Sequence, residues 1–287
     1  MPASLFEIRQ EPGTDRHELE LLGDDVERRY RRARPDVEKL PWGTTDLGRF
    51  SAAVIQHARV YWTSSARQEY QSTSVASATL RALVDAAVPL DLSAMFARFP
   101  LDELAHAEMC SRFAMELGGG VPLYHDPDRI FREPARTLTP LMRAAELVVR
   151  NYCVSEAFSA PMIRATRKIA TRPLPQALLA VIARDEAVHG TCGCIVLDWA
   201  ADRFSPADLA LLSAAARDSL ANLGRMCAGY GPKTPLPADE LHALGILDTE
   251  TFRPLAREVL QTHIVEPLRA RGFDMADVPP FAQVGIG

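Results

Sequence analysis

The feature that most constrains the fold of this chain is a five-residue pattern, Asp-Glu-x-x-His, which occurs at 102–106 and again at 185–189. A spacing of three residues places the glutamate and the histidine on one face of an α-helix, less than a turn apart. In a chain of this composition, chance produces the pattern only about 0.03 times. The two copies therefore predict two helices that each present a carboxylate and an imidazole together.

Hydrophobic periodicity predicts that the rest of the chain is helical as well. The predicted helices run from Thr44 or Thr45 to Ala87, from Leu92 to Leu117, over 139–170, 176–204 and 205–227, and near 238–244 and 249–271. Pro100 predicts a kink or a short break in the second helix, and a glycine- and proline-rich connection covers 118–136. No strict two-residue alternation lies between turn residues, so the predicted class is all-α.

Two further glutamates extend the pattern to both helix pairs. Glu69 and Glu103 lie at similar distances from the turn between the first two helices, and Glu156 and Glu186 flank the next turn in the same way. Residues equally far from the turn of an antiparallel pair lie at the same height. Each glutamate of the first helix therefore faces the Glu-x-x-His of the second.

Packed together, the two pairs bring four carboxylates and two imidazoles to one level, the ligand set of a two-metal site in a four-helix bundle. The predicted metal ligands are Glu69, Glu103, His106, Glu156, Glu186 and His189, and no catalytic residue is predicted beyond them. Two divalent cations neutralise four glutamates that would otherwise repel in the interior. The alternative, solvated glutamates and core histidines, requires two chance matches.

Asp102 and Asp185 each come one helical turn before a histidine of the pattern. A metal-bound imidazole usually donates its other N–H to a carboxylate. We therefore predict that each aspartate contacts an imidazole, either that of its own helix or the one across the bundle.

Composition excludes several classes of function. The net charge is −5 and the pI about 5.8, so no broad basic face exists for nucleic acid. No apolar run approaches the roughly 18–20 residues that span a membrane, and the first residues do not resemble a secretory leader, so we expect a cytoplasmic protein. The five cysteines form no Cys-x-x-Cys pair and are expected to be reduced core residues.

The order Glu, Glu-x-x-His, Glu, Glu-x-x-His resembles the ferritin-like di-iron carboxylate superfamily over residues 50–204. The resemblance implies a ferritin-like four-helix bundle with one long central crossover and additional C-terminal helices. We divide the single domain, 1–287, into an irregular N-terminal segment (1–45), a four-helix di-metal core (46–204) and accessory C-terminal helices with a tail (205–287).

The same resemblance implies the roles of the ligands and the chemistry. Glu69 and Glu156 would be terminal ligands, and Glu103 and Glu186 bridging ones. The layout is most similar to acyl-carrier desaturases, aldehyde-deformylating oxygenases and arylamine N-oxygenases. The last group carries a third histidine where this chain has Ile182.

These relatives imply an oxidoreductase with two iron ions that activates O2 to oxidise a small organic substrate. Hydroxylation, N-oxygenation, desaturation and C–C cleavage all stay open. Carboxylate and imidazole also bind manganese, so a ferroxidase and a di-manganese enzyme that disproportionates peroxide are the alternatives. No flavin or iron–sulfur motif is present, so an external reductase or ferredoxin is expected as electron donor, and the sequence allows a homodimer.

Small residues surround the predicted ligands and favour either a substrate cavity or close helix packing. The residues predicted to line such a pocket are Trp62, Ser72, Thr73, Phe99, Tyr152, Ser159 and Ile182.

Overall fold

Helices dominate the computed structural model, which describes residues 3–9, 17–124 and 132–276 and confirms the helical class. The helices are α1 (Asp24–Ala33), α2 (Pro35–Glu38), α3 (Ala52–Asp85), α4 (Leu90–Glu116), α5 (Pro140–Leu147), α6 (Ala157–Ile169), α7 (Pro173–Ala200), α8 (Pro206–Ala228), α9 (Ala238–Ala243), α10 (Thr249–Val259) and α11 (Glu266–Arg269). Two π-helical segments, Val148–Glu156 and Leu260–Val265, join α5 to α6 and α10 to α11.

Three short strands depart from the prediction that the chain has none. β1 (Ala3–Arg9) pairs antiparallel with β2 (His17–Leu21) and parallel with β3 (Leu123–Tyr124). The alternation in β2, His-Glu-Leu-Glu-Leu, is too short to stand out in the sequence. β3 lies more than a hundred residues further along the chain, so local patterns carry no sign of that pairing.

The N-terminal segment, predicted to be irregular, also carries α1 and α2 and is fixed to α4 by a buried ion pair. Arg34, between the two short helices, donates from Nη2 to Oε1 of Glu108 over 2.6 Å. Both side chains are only 3% exposed. A charge buried this deeply needs its partner, so the pair anchors the segment to the helical core.

α3 and α4 form a long helical hairpin. α3 begins at the N-cap Ser51, whose hydroxyl accepts from Val54 N–H. Of the kink or short break predicted at Pro100, the break is wrong, because α4 continues through this residue, and the kink stays a prediction. α4 ends where Gly118 takes a φ of +108°, a conformation that favours glycine.

The second pair of long helices meets the first where α5 packs on α3 and α7 packs on α4. α5, the first π-helical segment and α6 form one continuous rod from Pro140 to Ile169, capped by the Thr139 hydroxyl. α7 follows after a short turn and packs along this rod. α8 covers the π-helical segment from outside, and α10 packs on α6.

Two apolar clusters lie at opposite ends of this helical core. One contains Trp62 and Phe113, and the other contains Leu83 and Phe96. α3, α4 and α7 each pass from one cluster to the other, and the residues of the predicted metal site lie between the two clusters. The α5–α6 rod runs in the same direction as α4, because both begin in the cluster with Phe96 and end in the cluster with Trp62.

Among the described residues, no helix combines the length and the apolar character needed to cross a membrane.

Candidate metal centre

The four long helical elements bring all six predicted ligands together between the apolar clusters. Two groups of side chains could each hold a metal ion, because their ligand atoms lie within 4.8 Å of one another. The first group is Glu69, Glu103, His106 and Glu186, and the second is Glu156, Glu186 and His189. Glu186 belongs to both groups, so the two positions adjoin.

Three glutamates surround Nδ1 of His106. The nearest carboxylate oxygens of Glu186, Glu69 and Glu103 lie 3.4, 3.5 and 3.9 Å from this nitrogen. His106 is fully buried, and Glu69 on α3 is the most exposed of the three glutamates.

The surroundings of His189 are similar. Its Nδ1 lies 3.3 Å from Glu103 and 3.5 Å from Glu186. These two glutamates therefore approach both imidazoles, whose ring centres are 6.3 Å apart. Glu156, at the C-terminal end of the π-helical segment, accepts a hydrogen bond from the Ser159 hydroxyl over 3.0 Å.

The surroundings of the two imidazoles suit a bound metal ion better than they suit hydrogen bonding. All four ring nitrogens are buried without a hydrogen-bond partner, and so is one oxygen of Glu186. Metal–ligand bonds of about 2.0–2.2 Å place neighbouring ligand atoms about 3–4 Å apart. The distances from Nδ1 to the glutamate oxygens, 3.3–3.9 Å, lie in that range. The residues present therefore suit a cation between imidazole and carboxylates.

Each histidine turns its other nitrogen toward the aspartate of the opposite helix. Nε2 of His106 lies 3.5 Å from Asp185 on α7, and Nε2 of His189 lies 3.5 Å from Asp102 on α4. Of the two arrangements left open by the sequence, the structure has the crossed one. A carboxylate at Nε2 favours a proton there and leaves Nδ1 free for a metal ion.

Two arginines hold these aspartates in turn. Arg98 donates from Nε to both oxygens of Asp102, at 3.2 and 3.1 Å, and its Nη2 lies 3.6 Å from Asp185. Arg184 makes two hydrogen bonds to Asp185, at 2.9 and 3.2 Å, and a third to Asp36 on α2 at 2.7 Å. A chain of charged side chains therefore leads from the N-terminal segment to His106.

Electrostatics in the metal-free cluster favour protonated imidazoles. Burial opposes a charged ring, but the nearby carboxylates of Asp185 and the neighbouring glutamates raise the pKa of His106 well above its usual range. Burial acts in the same sense on His189, and the nearby carboxylates, first that of Asp102, raise its pKa to about 12. Without metal, the imidazoles therefore carry protons that a metal ion would displace.

The surroundings of the glutamates shift their pKa values in opposite directions. Burial raises the pKa of Glu103 to about 8, and burial together with the charge of Glu186 raises the pKa of Glu156 well above its usual range. Burial opposes ionisation of Glu186 as well, but the two nearby histidines hold its pKa well below the usual range. Such opposed shifts arise where several carboxylates share a small buried volume.

The seven predicted pocket residues occupy different environments. Phe99 packs on the ring of His189 with ring centres 4.0 Å apart, and Tyr152 packs edge-on against Phe96. Trp62 is buried in an apolar cluster and donates from Nε1 to the Leu244 carbonyl. Ser159 contacts Glu156, Ile182 is buried, and Ser72 and Thr73 are half-buried on α3. That they line a substrate pocket stays a prediction.

Glycines beside the ligands serve close helix packing. A Cβ atom on Gly190 would lie 3.1 Å from the Glu156 carbonyl oxygen, and one on Gly193 would lie 2.7 Å from Sγ of Cys153. The backbone of α7 therefore approaches the π-helical segment closely at both positions. Of the two roles that the sequence leaves open for small residues, these glycines take the packing role.

Two surface recesses lie away from the cluster. One, of about 390 Å³, is lined by residues that include Arg49, Arg172 and His242, and the other, of about 530 Å³, by residues that include Arg81 and Arg143. None of the seven predicted pocket residues lines either recess.

Sequence reasoning missed both arginines and Asp36. Arg98 lies four residues before Asp102, a spacing that predicts an ion pair on a helix. Arg184 is next to Asp185, and adjacency on a helix is a weak signal of contact. The contact between Arg184 and Asp36 joins residues that are distant in sequence and has no local signature.

Comparisons with known proteins place the chain in no group, since no family model, curated protein or solved structure matches it.

Proposed function

We propose that this chain is a ferritin-like di-iron oxidoreductase that uses O2 to oxidise a small organic substrate. The observation that carries the proposal is the pair of buried imidazoles, each with an unpartnered Nδ1 turned toward shared carboxylates. The proposed fold is a ferritin-like four-helix bundle, and the proposed ligands are the six residues of the two groups.

The donor atoms of the cluster suit the binding of hard divalent cations. Four carboxylates and two imidazoles suit iron and manganese alike, and two such cations balance four glutamates. The nearby thiol of Cys192 donates a hydrogen bond to the carbonyl of His189 over 3.1 Å. A site rich in carboxylates prefers hard cations, so we do not propose Cys192 as a thiolate ligand. We propose iron because the pattern resembles oxygen-activating enzymes.

Bound ferrous ions would supply electrons and open coordination positions for the reduction of dioxygen. The chain's own residues bind and orient. The carboxylates of Asp102 and Asp185, each 3.5 Å from Nε2 of one histidine, favour the ring orientation that presents Nδ1. Phe99 packs on His189 and excludes water from that side of the ring. In the proposed cycle, a reductase or ferredoxin returns electrons from outside.

Metal stoichiometry followed by oxygen mixing tests the proposal. Metal-free protein is titrated with ferrous iron without oxygen, bound iron is counted per chain, and the loaded protein is mixed with oxygen while visible absorption is followed. We expect two irons per chain and a transient visible band. The Glu156→Ala variant should lose one iron, whereas Glu146→Ala, on the same rod but paired with Arg150, should keep both.

Other outcomes favour the alternatives. Two irons that oxidise without a transient band and release mineral would favour iron handling. Rapid peroxide disproportionation by the manganese form, with none by the iron form, would favour the manganese enzyme. Less than one bound metal ion per chain, with iron and with manganese alike, would overturn the assignment of the metal site.

A further inference from the structure

Two cysteine thiols meet where α7 touches the π-helical segment. Cys153 lies three residues before Glu156, and Cys194 lies five residues after His189. Their thiols lie close enough to interact with each other across the two elements. Gly193 makes the approach this close, because a Cβ there would lie 2.7 Å from Sγ of Cys153 and 3.0 Å from its backbone nitrogen.

The two thiols differ in access to solvent. Cys153 is buried, at 3% exposure, whereas Cys194 is half-buried and reachable from outside. A reagent would therefore meet Cys194 first, and Cys153 would lie behind it.

An arginine provides positive charge beside the pair. Arg271 donates from Nε and Nη2 to the two oxygens of Asp198, at 2.7 and 2.8 Å, and from Nη1 to the Pro267 carbonyl. Asp198 lies one turn after Cys194 on α7. The interaction with the Cys153 thiol lowers the pKa of Cys194 to about 7; burial opposes this shift, and the charge of Arg271 adds to it. Reactive cysteines are found in such partly exposed, electropositive surroundings.

The other three cysteines have different surroundings. Cys110, Cys192 and Cys227 are buried, and burial raises the pKa of each thiol. They fit the expected role of reduced core residues, and the Cys153–Cys194 pair stands apart from them.

We propose that Cys194 and Cys153 form a redox-active dithiol that hydrogen peroxide oxidises to a disulfide. The Cys194 thiolate attacks one peroxide oxygen, the O–O bond breaks, and the released hydroxide takes a proton to become water. The resulting sulfenic acid is attacked by the Cys153 sulfur, which releases a second water and forms the S–S bond. Two thiols lose two electrons, and one peroxide gains them.

The disulfide would join α7 to the π-helical segment within a turn of Glu156. It would close a loop of roughly 40 residues and raise the melting temperature by about 5–15 °C. Neither chemical step uses a metal ion, so the proposal stands or falls separately from the proposed function.

Mass spectrometry of the full metal-free chain tests the dithiol. The reduced protein is treated with hydrogen peroxide, and the remaining thiols are alkylated under denaturing conditions. We expect a mass loss of two hydrogen atoms, alkylation of three of the five cysteines, and one crosslinked peptide pair that contains Cys153 and Cys194. Alkylation of all five, or a crosslink between other cysteines, would overturn the proposal.

Variants separate the two roles. Cys194→Ala should form no crosslink, and Cys153→Ala should accumulate a sulfenic acid at Cys194 that dimedone traps. Cys227→Ala is the matched control and should keep the crosslink. In the unmodified protein at pH 7, iodoacetamide should label Cys194 at least about tenfold faster than Cys227. Equal labelling rates would contradict the proposal even if a variant failed to fold.

Discussion

The two halves of the Glu/His cluster share one sequence pattern but differ in what lies behind each histidine. Behind His106, Asp185 is held by two hydrogen bonds from Arg184 and approached by Arg98. Behind His189, Asp102 is held by Arg98, from its own helix.

The contacts further out differ as well. Arg184 continues to Asp36, so the His106 half is linked to the N-terminal segment. The His189 half instead has the ring of Phe99 packed on its imidazole. Burial raises the pKa of Asp185, but the nearby imidazole of His106 and the hydrogen bonds from Arg184 outweigh it and lower this pKa to about 2. Two identical motifs therefore give two inequivalent candidate metal positions, because the residues outside the motif differ.

Removal of the shared glutamate should have the largest effect. Glu186 belongs to both groups, so Glu186→Ala should lose both ions, whereas Glu69→Ala and Glu156→Ala should each lose one. Anaerobic ferrous titration with a count of bound iron per chain measures the difference. If Glu186→Ala still bound one iron as tightly as the unchanged protein, the two halves would not share this carboxylate.

Substitution of the crossed aspartates should separate the halves. Asp185→Asn should weaken the ion at His106 about 10–100-fold, and Asp102→Asn should do the same for the ion at His189, because each aspartate orients the opposite imidazole. Competition with a chelator gives the affinities.

The two half-sites can be isolated for this measurement. In the Glu156→Ala background the remaining ion lies at His106, so Asp185→Asn should act there and Asp102→Asn should not. In the Glu69→Ala background the remaining ion lies at His189, so Asp102→Asn should act there and Asp185→Asn should not. Equal effects of both aspartates in one background would contradict the crossed arrangement.

Without metal, the cluster should make the protein less stable as pH rises from about 5 to 7. The folded chain keeps protons on Glu103, with a pKa of about 8, and on His189, with a pKa of about 12. The unfolded chain releases them near the ordinary values of 4.5 and 6.5. Where the folded state binds more protons, the free energy of unfolding falls with rising pH, by about 1.4 kcal/mol per proton and pH unit.

Urea unfolding with a chelator present measures this dependence. Metal binding should show the opposite trend, since ligands must release protons to bind, so affinity should increase with pH over the same range. A metal-free chain whose stability rose from pH 5 to 7 would contradict these assignments.

Removal of the Arg184–Asp36 link to the N-terminal segment should have the smallest effect on metal binding. Asp36→Asn removes a partly exposed partner of Arg184, and ion pairs of this kind contribute about 0.2–1 kcal/mol. We expect about two- to fivefold weaker binding at His106 and unchanged binding at His189. Asp85→Asn, which breaks a comparable exposed pair with Arg81, is the control. Equal weakening at both positions would remove the proposed asymmetry.

The sequence predicted the part of the site that depends on local helical geometry. The spacing of Glu103 and His106 determines that both face one side of α4, and the repeat at Glu186 and His189 does the same for α7. Distance from the turn was enough to place Glu69 at their height.

The remaining features depend on contacts between distant segments. The choice between a histidine's own aspartate and the opposite one depends on how α4 and α7 pack. The Arg184–Asp36 bond joins residues far apart in the chain, and the nine-residue π-helical segment that ends at Glu156 has no recognised sequence signal. The strand order also depends on β3, far from β1 in sequence.

The buried pair of Arg34 and Glu108 limits how this protein can be taken apart. Glu108 lies two residues beyond His106, and its partner belongs to the segment before the long helices. A shortened chain that began at α3 would leave a carboxylate in the interior with its main counter-charge gone. The long helices are therefore not a portable module, and any transplant of this Glu/His cluster into another protein must bring Arg34 with it or replace Glu108.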